Sequence, residues 1–255
     1  MLDISLEEYE KLSPSMVAAR DGVEAVYCTP NRQTAWRVET LFTKEPDTIA
    51  WIAGFAPGEI LFDIGANVGM YSIWAAIAKK SIVYAFEPES QNFALLNRNI
   101  WVNGLGGQVT ALPLAIADRV GLDKLYLSEF VAGGSCHNFG EAVDFREQPL
   151  AAAFTQGSFA ATLDHLLAQG WLPVPHHIKI DVDGIEPKVI AGARQTLANP
   201  RLKSLLIEIN SNLETHWAIV DALLDAGFDY SREQVEESMR KEGPFQGVGN
   251  YVFRR

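Results

Sequence analysis

Five acids stand at or near the ends of five short apolar runs. Asp63 follows Ile60-Leu61-Phe62, Glu87 follows Ile82 to Phe86, and Asp118 follows Val109 to Ile116. Asp181 follows His177-Ile178-Lys179-Ile180, and Glu208 lies within Leu202 to Ile209. Carboxylates gathered on one rim of a sheet can accept hydrogen bonds from hydroxyls, take a proton, or hold a hard cation. The densest stretch is Glu59 to Ala78. There an apolar run ending in Asp63-Ile64 passes through Gly65-Ala66-Asn67-Val68-Gly69 into a helical pattern at Val68, Tyr71, Trp74, Ala75 and Ala78.

A strand that runs through a glycine turn into a helix is half of a nucleotide-type site. Gly65 permits backbone angles and an approach distance that a Cβ would forbid. The helix start offers unpaired N–H groups to a polar ligand. Glu87 lies about 20 residues past the glycines, where its carboxylate can accept from both ribose hydroxyls of a nucleoside cofactor. A nicotinamide dehydrogenase would need G-x-G-x-x-G; here Asn67 replaces the middle glycine and Met70 the last.

The elements that must position these groups follow from the pattern. At 255 residues, 48% apolar and 21% charged, the chain has the composition of an ordinary soluble globule, one large domain or one domain with an arm. No window reaches the ~18 apolar residues of a membrane helix. The acidic start, Met1 to Glu8, has no signal pattern, and Cys28 and Cys136 are too few for a disulfide framework. A cytoplasmic setting is the simplest. The net charge of -11 disfavours a nucleic-acid partner.

Residues 1–56 read as an N-terminal cap and residues 57–255 as the main domain. In the cap, Leu6 to Leu12 reads as a short helix, Val23 to Tyr27 and Thr34 to Val38 as extended pieces, and Glu45 to Phe55 as a helix stopped by Pro57-Gly58. In the main domain, Ser90 to Asn103 is a helix and Val109 to Ile116 the third strand. Leu122 to Ser128 is a further strand, and Glu129 to Gly157 a long binding loop. A short helix follows Thr162, one helix runs from Ile185 to Leu197, and another spans Leu213 to Leu224. Ser231 to Gly249 reads as a solvated loop before a last strand at Tyr251-Val252-Phe253. Strands alternating with helices imply a doubly wound, mostly parallel sheet, with ligands outside the strands' carboxyl ends.

Taken together, Asp63-Ile64-Gly65-Ala66-Asn67-Val68-Gly69, Phe86-Glu87-Pro88, Thr162-Leu163-Asp164, Lys179 to Glu186 and Ile207-Glu208 resemble the FkbM family of S-adenosylmethionine-dependent methyltransferases. The resemblance covers about Ile60 to Asn210. It implies a class I methyltransferase (Rossmann-like) α/β fold, with a seven-stranded sheet whose last strand is antiparallel. It also implies methyl transfer to oxygen, on a carbohydrate, glycolipid or polyketide-type acceptor. Spacing and composition show neither the methyl group nor the acceptor.

On that footing Gly65, Ala66 and Gly69 approach the methionine end of S-adenosyl-L-methionine, and Asp63 faces its ammonium or accepts from the glycine turn. Asn67 caps the helix or binds. Glu87, before Pro88, takes the ribose, and Asp118 the adenine amine or only a turn. Asp181 stands where donor and acceptor meet, and Asp183 and Glu186 are close enough to share that cleft. The family usually carries Glu where Asp183 stands.

Of five histidines, His176 and His177 precede a strand and belong at the wrong end of the sheet, while His165 belongs on a helix surface. His137 and His216 fall on the correct rim as candidate bases. Asp181 with Glu208 and Asn210 offers oxygen ligands that would suit Mg²⁺, but the reading carries no metal. A cofactor-binding partner subunit without catalysis is the alternative of another class.

Overall fold

The computed structural model describes residues 4–255. The chain opens with α1 (Leu6–Lys11), where the Ser5 hydroxyl accepts from the Glu8 N–H and the Glu8 carboxylate accepts from the Ser5 N–H. β1 (Ser15–Arg20) and β2 (Val23–Cys28) form an antiparallel hairpin. Next comes α2 (Arg32–Glu39), where Thr34 to Val38 had the pattern of an extended piece. Asn31 decides the matter: its side chain accepts from the Thr34 N–H at 2.9 Å, and the Thr34 hydroxyl accepts from the Asn31 N–H at 3.3 Å. That cap offsets the strand preference of Thr34 and Val38. α3 (Pro46–Ala53) starts on a proline, which has no N–H to leave unpaired.

The main series runs β3 (Ile60–Ile64), α4 (Met70–Lys79), β4 (Ile82–Phe86), α5 (Ser90–Val102), β5 (Val109–Leu112). The expected third strand stops short at Pro113, which cannot donate to a ladder. β6 (Ala115–Ile116) then leaves the main sheet. It joins β7 (Gly121–Leu127), β8 (Asn138–Phe139) and β9 (Phe154–Ala161) in a second sheet, ordered β6-β9-β7-β8. β9 begins inside the stretch expected to be irregular. Its Thr, Gln, Gly and Ser residues hide the alternation that marks a strand.

α6 (Leu163–Ala168) leads to β10 (His177–Ile180). The single helix expected through Leu197 is two, α7 (Glu186–Ala191) and α8 (Arg194–Ala198), parted at Gly192. β11 (Ser204–Asn210), α9 (Glu214–Asp225), β12 (Asp229–Tyr230), α10 (Arg232–Ser238) and β13 (Val248–Arg254) complete the chain. α10 corrects the solvated loop. Ser231 caps it by accepting from the Gln234 N–H, and Val235 is its buried side chain.

The main sheet has seven strands in the order β12-β13-β11-β10-β3-β4-β5. β13 is antiparallel to both its neighbours and the remaining pairs are parallel. The chain winds outward from β3 in one direction and from β10 in the other, so these two central strands form the switch point where such sheets bind ligands. Every residue of β3, β10 and β11 is buried.

Residues 15–55 pack into the same core as the sheet, with Ala25 and Ile52 in one apolar cluster with Val83 and Leu96. Polar ties fix the docking. The Tyr27 hydroxyl donates to the Met70 carbonyl at 2.8 Å, and the Asn99 side chain accepts from the Cys28 N–H at 2.8 Å. At the foot of the sheet His177 lies 2.8 Å from the Ser204 hydroxyl and 2.9 Å from Glu59, and its ring stacks on Phe55. His177 therefore works at the end opposite the rim acids. Among the described residues no helix is long and apolar enough to cross a membrane.

Candidate active site

The glycine turn after β3 is built on left-handed backbone. Gly65, Asn67 and Gly69 have φ of 79°, 50° and 86°. A Cβ on Gly65 would run into the Asp181 carbonyl oxygen and lie 3.2 Å from the Val182 side chain. The missing side chain is what lets the ends of β3 and β10 close on each other. The Gly65 and Ala66 N–H groups both donate to the Phe86 carbonyl at 3.0 Å. Asn67 donates from its backbone to Glu87 at 2.7 Å and from its side chain to the Gly134 carbonyl at 2.6 Å. It ties the turn to β4 and to the glycine loop.

Beside this turn lies a cavity of about 540 Å³ with its open mouth included. Gly65, Glu87, Pro88, Asp181 and Asp183 form its polar wall. Phe86, Leu114, Ile116, Leu125 and Phe139 form an apolar slot, in part supplied by the second sheet. The slot suits a flat purine, with a carboxylate at its edge for a ribose. Glu87 accepts from the Glu89 and Asn67 N–H groups, one on each oxygen. Each oxygen keeps a second lone pair. Burial pushes its carboxyl up to about 8.

Across Gly65 and Asp181 lies a second cavity of about 470 Å³, walled by Arg37, Thr40, Lys44, Glu45, Tyr71 and Lys179. Lys179 is 2% exposed; its ammonium is 2.9 Å from Asp181 and 3.9 Å from Asp63. Burial opposes both charges, yet the pairing prevails: the Lys179 ammonium is pushed up, and Asp181 is held down to about 2.

Asp63 takes a hydrogen bond from the Ser72 hydroxyl at 2.6 Å and lines neither cavity. It stands 3.9 Å behind the Lys179 ammonium, and burial pushes its carboxyl up. The sequence reading gives Lys179 no role; a lysine inside an apolar strand buried on both faces was its signal.

Asp183 sits in left-handed backbone at φ 57° and accepts from the Cys136 N–H at 2.7 Å. Burial and the charge of Asp181 push it up to about 6. Oxygens of Asp181, Asp183 and Glu208 lie within 4.8 Å of one another. Lys179 and Arg240 pair with the first and the last of them, Arg240 at 2.9 Å. Asn210, expected beside them, is engaged with Phe145 and Asn212.

Two expected site residues have other work. Glu186 accepts from the Val182 and Gly184 N–H groups at 3.2 and 3.0 Å, so it braces the turn that carries Asp183 and lies outside both cavity walls. Asp118 also lies outside them, 3.8 Å from Arg119 with 40% of its side chain exposed. The break at Pro113 carries it away with the second sheet.

His137 does line the first cavity, but its Nδ1 accepts from the Ser128 N–H at 3.3 Å and burial lowers its pKa. Its proton is thereby fixed on Nε2, which suits a donor and not a base. His216 is turned inward, with Nδ1 accepting from the Asn210 N–H at 3.1 Å.

The sheet order, the antiparallel last strand and a nucleoside-shaped cleft at the switch point define a class I, Rossmann-like methyltransferase fold. The family described as "Methyltransferase FkbM domain" matches residues 63–230. The chain belongs to this FkbM family of S-adenosylmethionine-dependent methyltransferases.

It is 26% identical over 208 residues to the hexuronic acid methyltransferase AglP of Haloferax volcanii, covering 78% of this chain and 76% of that protein. It is 26% identical over 199 residues to the 31-O-demethyl-FK506 methyltransferase FkbM of Streptomyces tacrolimicus, covering 70% and 75%. The crystal structure of methyltransferase FkbM from Methylobacillus flagellatus shares the fold, with a TM-score of 0.52 at 14% identity. That match covers 88% of this chain, which spans 55% of the solved one.

The residues present fit S-adenosylmethionine. The apolar slot has the character an adenine needs, Glu87 lines the same cleft as a carboxylate that ribose hydroxyls could reach, and the bare Gly65 backbone lets β3 and β10 meet at the wall the two cavities share.

Proposed function

We propose that this methyltransferase acts on a hydroxyl oxygen of a carbohydrate, glycolipid or polyketide-type metabolite, with Asp183 taking the hydroxyl proton. The observation that carries the reading is that Asp181 and Gly65 wall both cavities. A donor held in the first and an acceptor held in the second meet at the end of β10. S-adenosylmethionine, when bound, supplies a methyl group activated by its sulfonium. The chain's own residues do the rest.

Glu87 and the apolar slot hold the nucleoside. Asp181, kept ionised by Lys179, accepts from the acceptor hydroxyl and orients its oxygen; such alignment is worth several kcal/mol. Asp183 lines the first cavity with an oxygen within 4.8 Å of one on Asp181, and it is pushed toward neutrality, so it is suited to receive the proton at the shared wall. The names of the relatives support an oxygen acceptor: one is a 31-O-demethyl-FK506 methyltransferase and the other acts on a hexuronic acid.

The test is transfer from methyl-labelled S-adenosylmethionine to a panel of neutral sugars, uronic acids and macrolide alcohols. An alkali-stable methyl ether, lost in Asp183→Asn, is the expected product. An alkali-labile ester or an N-methyl product would overturn the reading.

A further inference from the structure

Lys44 and Glu45 wall the second cavity on one side and a larger groove on the other. The groove holds about 1000 Å³ with its open mouth, more than twice the 470 Å³ of the cavity it adjoins. Its sides are α3 and α10, and its floor is β13.

Register gives its direction. Asn250 on the floor lies opposite Glu208 at the rim, and Arg254 lies opposite Ser204 near the foot of the sheet. Four residues of strand separate them, about 14 Å. That is longer than a single pyranose ring.

The junction between cavity and groove is a chain of side chains. Lys44 is 2.7 Å from Glu45, Glu45 is 3.7 Å from Arg240, and Arg240 is 2.9 Å from Glu208. The Glu45 carboxylate also accepts from the Tyr71 hydroxyl at 2.8 Å, inside the cavity. The polar lining therefore continues from the transfer site into the groove.

The lining also says what would lie there. Lys44, Arg240 and Arg254 share the lining with Glu45, Asp47 and Glu237. A ligand that donates to carboxylates and accepts from cations along its whole length carries many hydroxyls. With three cations matched by three carboxylates, the lining offers no net attraction to a phosphate backbone.

Building on the hydroxyl-transfer reading, we propose that the acceptor is an extended saccharide whose reacting residue enters the second cavity while its further residues lie in this groove.

Ala50 provides the test. It is exposed on α3, lines the groove and touches neither cavity. Ala50→Trp fills the groove and leaves the transfer site intact. The probes are glucose against cellotetraose and galacturonate against tetragalacturonate, with calorimetry of S-adenosylhomocysteine as the folding control. In at least one pair the wild type is expected to favour the tetramer at least tenfold in kcat/KM. Ala50→Trp is expected to erase that advantage while keeping monomer turnover and S-adenosylhomocysteine affinity. Equal turnover of monomer and tetramer, or an advantage that survives Ala50→Trp, overturns the groove and leaves hydroxyl transfer standing. No transfer to any of the four, with transfer to a macrolide alcohol, overturns the saccharide and leaves hydroxyl transfer standing; no transfer to any of these alcohols overturns both.

Discussion

The Lys179 ammonium sits 2.9 Å from the Asp181 carboxylate, two residues on and just past the end of β10, with Lys179 2% exposed and Asp181 27% exposed. The pair is a buried cation holding a half-open anion at the wall shared by both cavities. Asp63 stands behind it at 3.9 Å. Such a triad commits Asp181 to the charged state and keeps it from serving as the proton acceptor. It also puts stability at stake.

Lys179→Met leaves Asp63 and Asp181 facing each other without their cation. Breaking a buried pair in this way costs about 3–5 kcal/mol. Chemical denaturation should show a loss of that order. Double replacement of Lys179 by Met and Asp63 by Asn should recover part of it, and an unchanged midpoint for the single variant would contradict the triad.

Asp183 is pushed up to about 6, and it must be ionised to take a proton. Below that pH it is protonated and idle, so kcat/KM should rise through about pH 6 and level off above. Asp183→Asn should lower kcat by a factor of ~10²–10⁴, the usual range for a lost general base, and remove the rising limb. Survival of the same limb in the variant would assign it to another group.

How far the sequence reaches is clear from the same residues. Gly65, Asn67 and Glu87 are legible because their geometry is local: a turn and the next strand end fix them whatever the rest of the chain does. Lys179 is not, since only the parallel pairing of β3 with β10 sets Asp63 beside it, behind the Asp181 it pairs with. Asp118 fails for a similar reason. One proline, Pro113, sends its strand into a second sheet that periodicity does not disclose. Asn31 shows the limit of propensity, because a reciprocal pair of cap hydrogen bonds turns an extended-looking Thr34 to Val38 into α2.

Gly65→Ala would force a Cβ into the Asp181 carbonyl at a backbone angle of φ 79°. The strain alone is worth about 1–3 kcal/mol. Because relief requires β3 and β10 to part, affinity for S-adenosylhomocysteine should fall by at least a hundredfold. Gly106→Ala, where a Cβ would meet nothing within 4 Å, is the matched control and should stay within about 0.5 kcal/mol of the parent. Equal behaviour of the two variants would contradict the close approach.

The stability of the cofactor-free chain should depend on pH with a defined sign. Burial pushes Glu87 and Glu186 up to about 8, against 4.5 for an unhindered glutamate. The folded chain holds more protons in that interval, so their contribution is full below about pH 4.5 and drains away as pH rises toward 8.

Asp181 and Glu59, both held down to about 2, contribute above that range and are lost as pH falls through it. Tm should therefore be higher at about pH 5 than at about pH 8, and Glu186→Gln should shrink the difference. A Tm that climbs from the lower to the higher pH would have the wrong sign.

The most direct measurement is calorimetric titration with S-adenosylhomocysteine, with NAD as the parallel titrant and Glu87→Ala and Glu87→Gln as variants. The cleft at the β3–β10 switch point predicts binding of S-adenosylhomocysteine alone, weakened at least tenfold in both variants. Binding of NAD in its place, or affinity for S-adenosylhomocysteine untouched by the loss of Glu87, would contradict it.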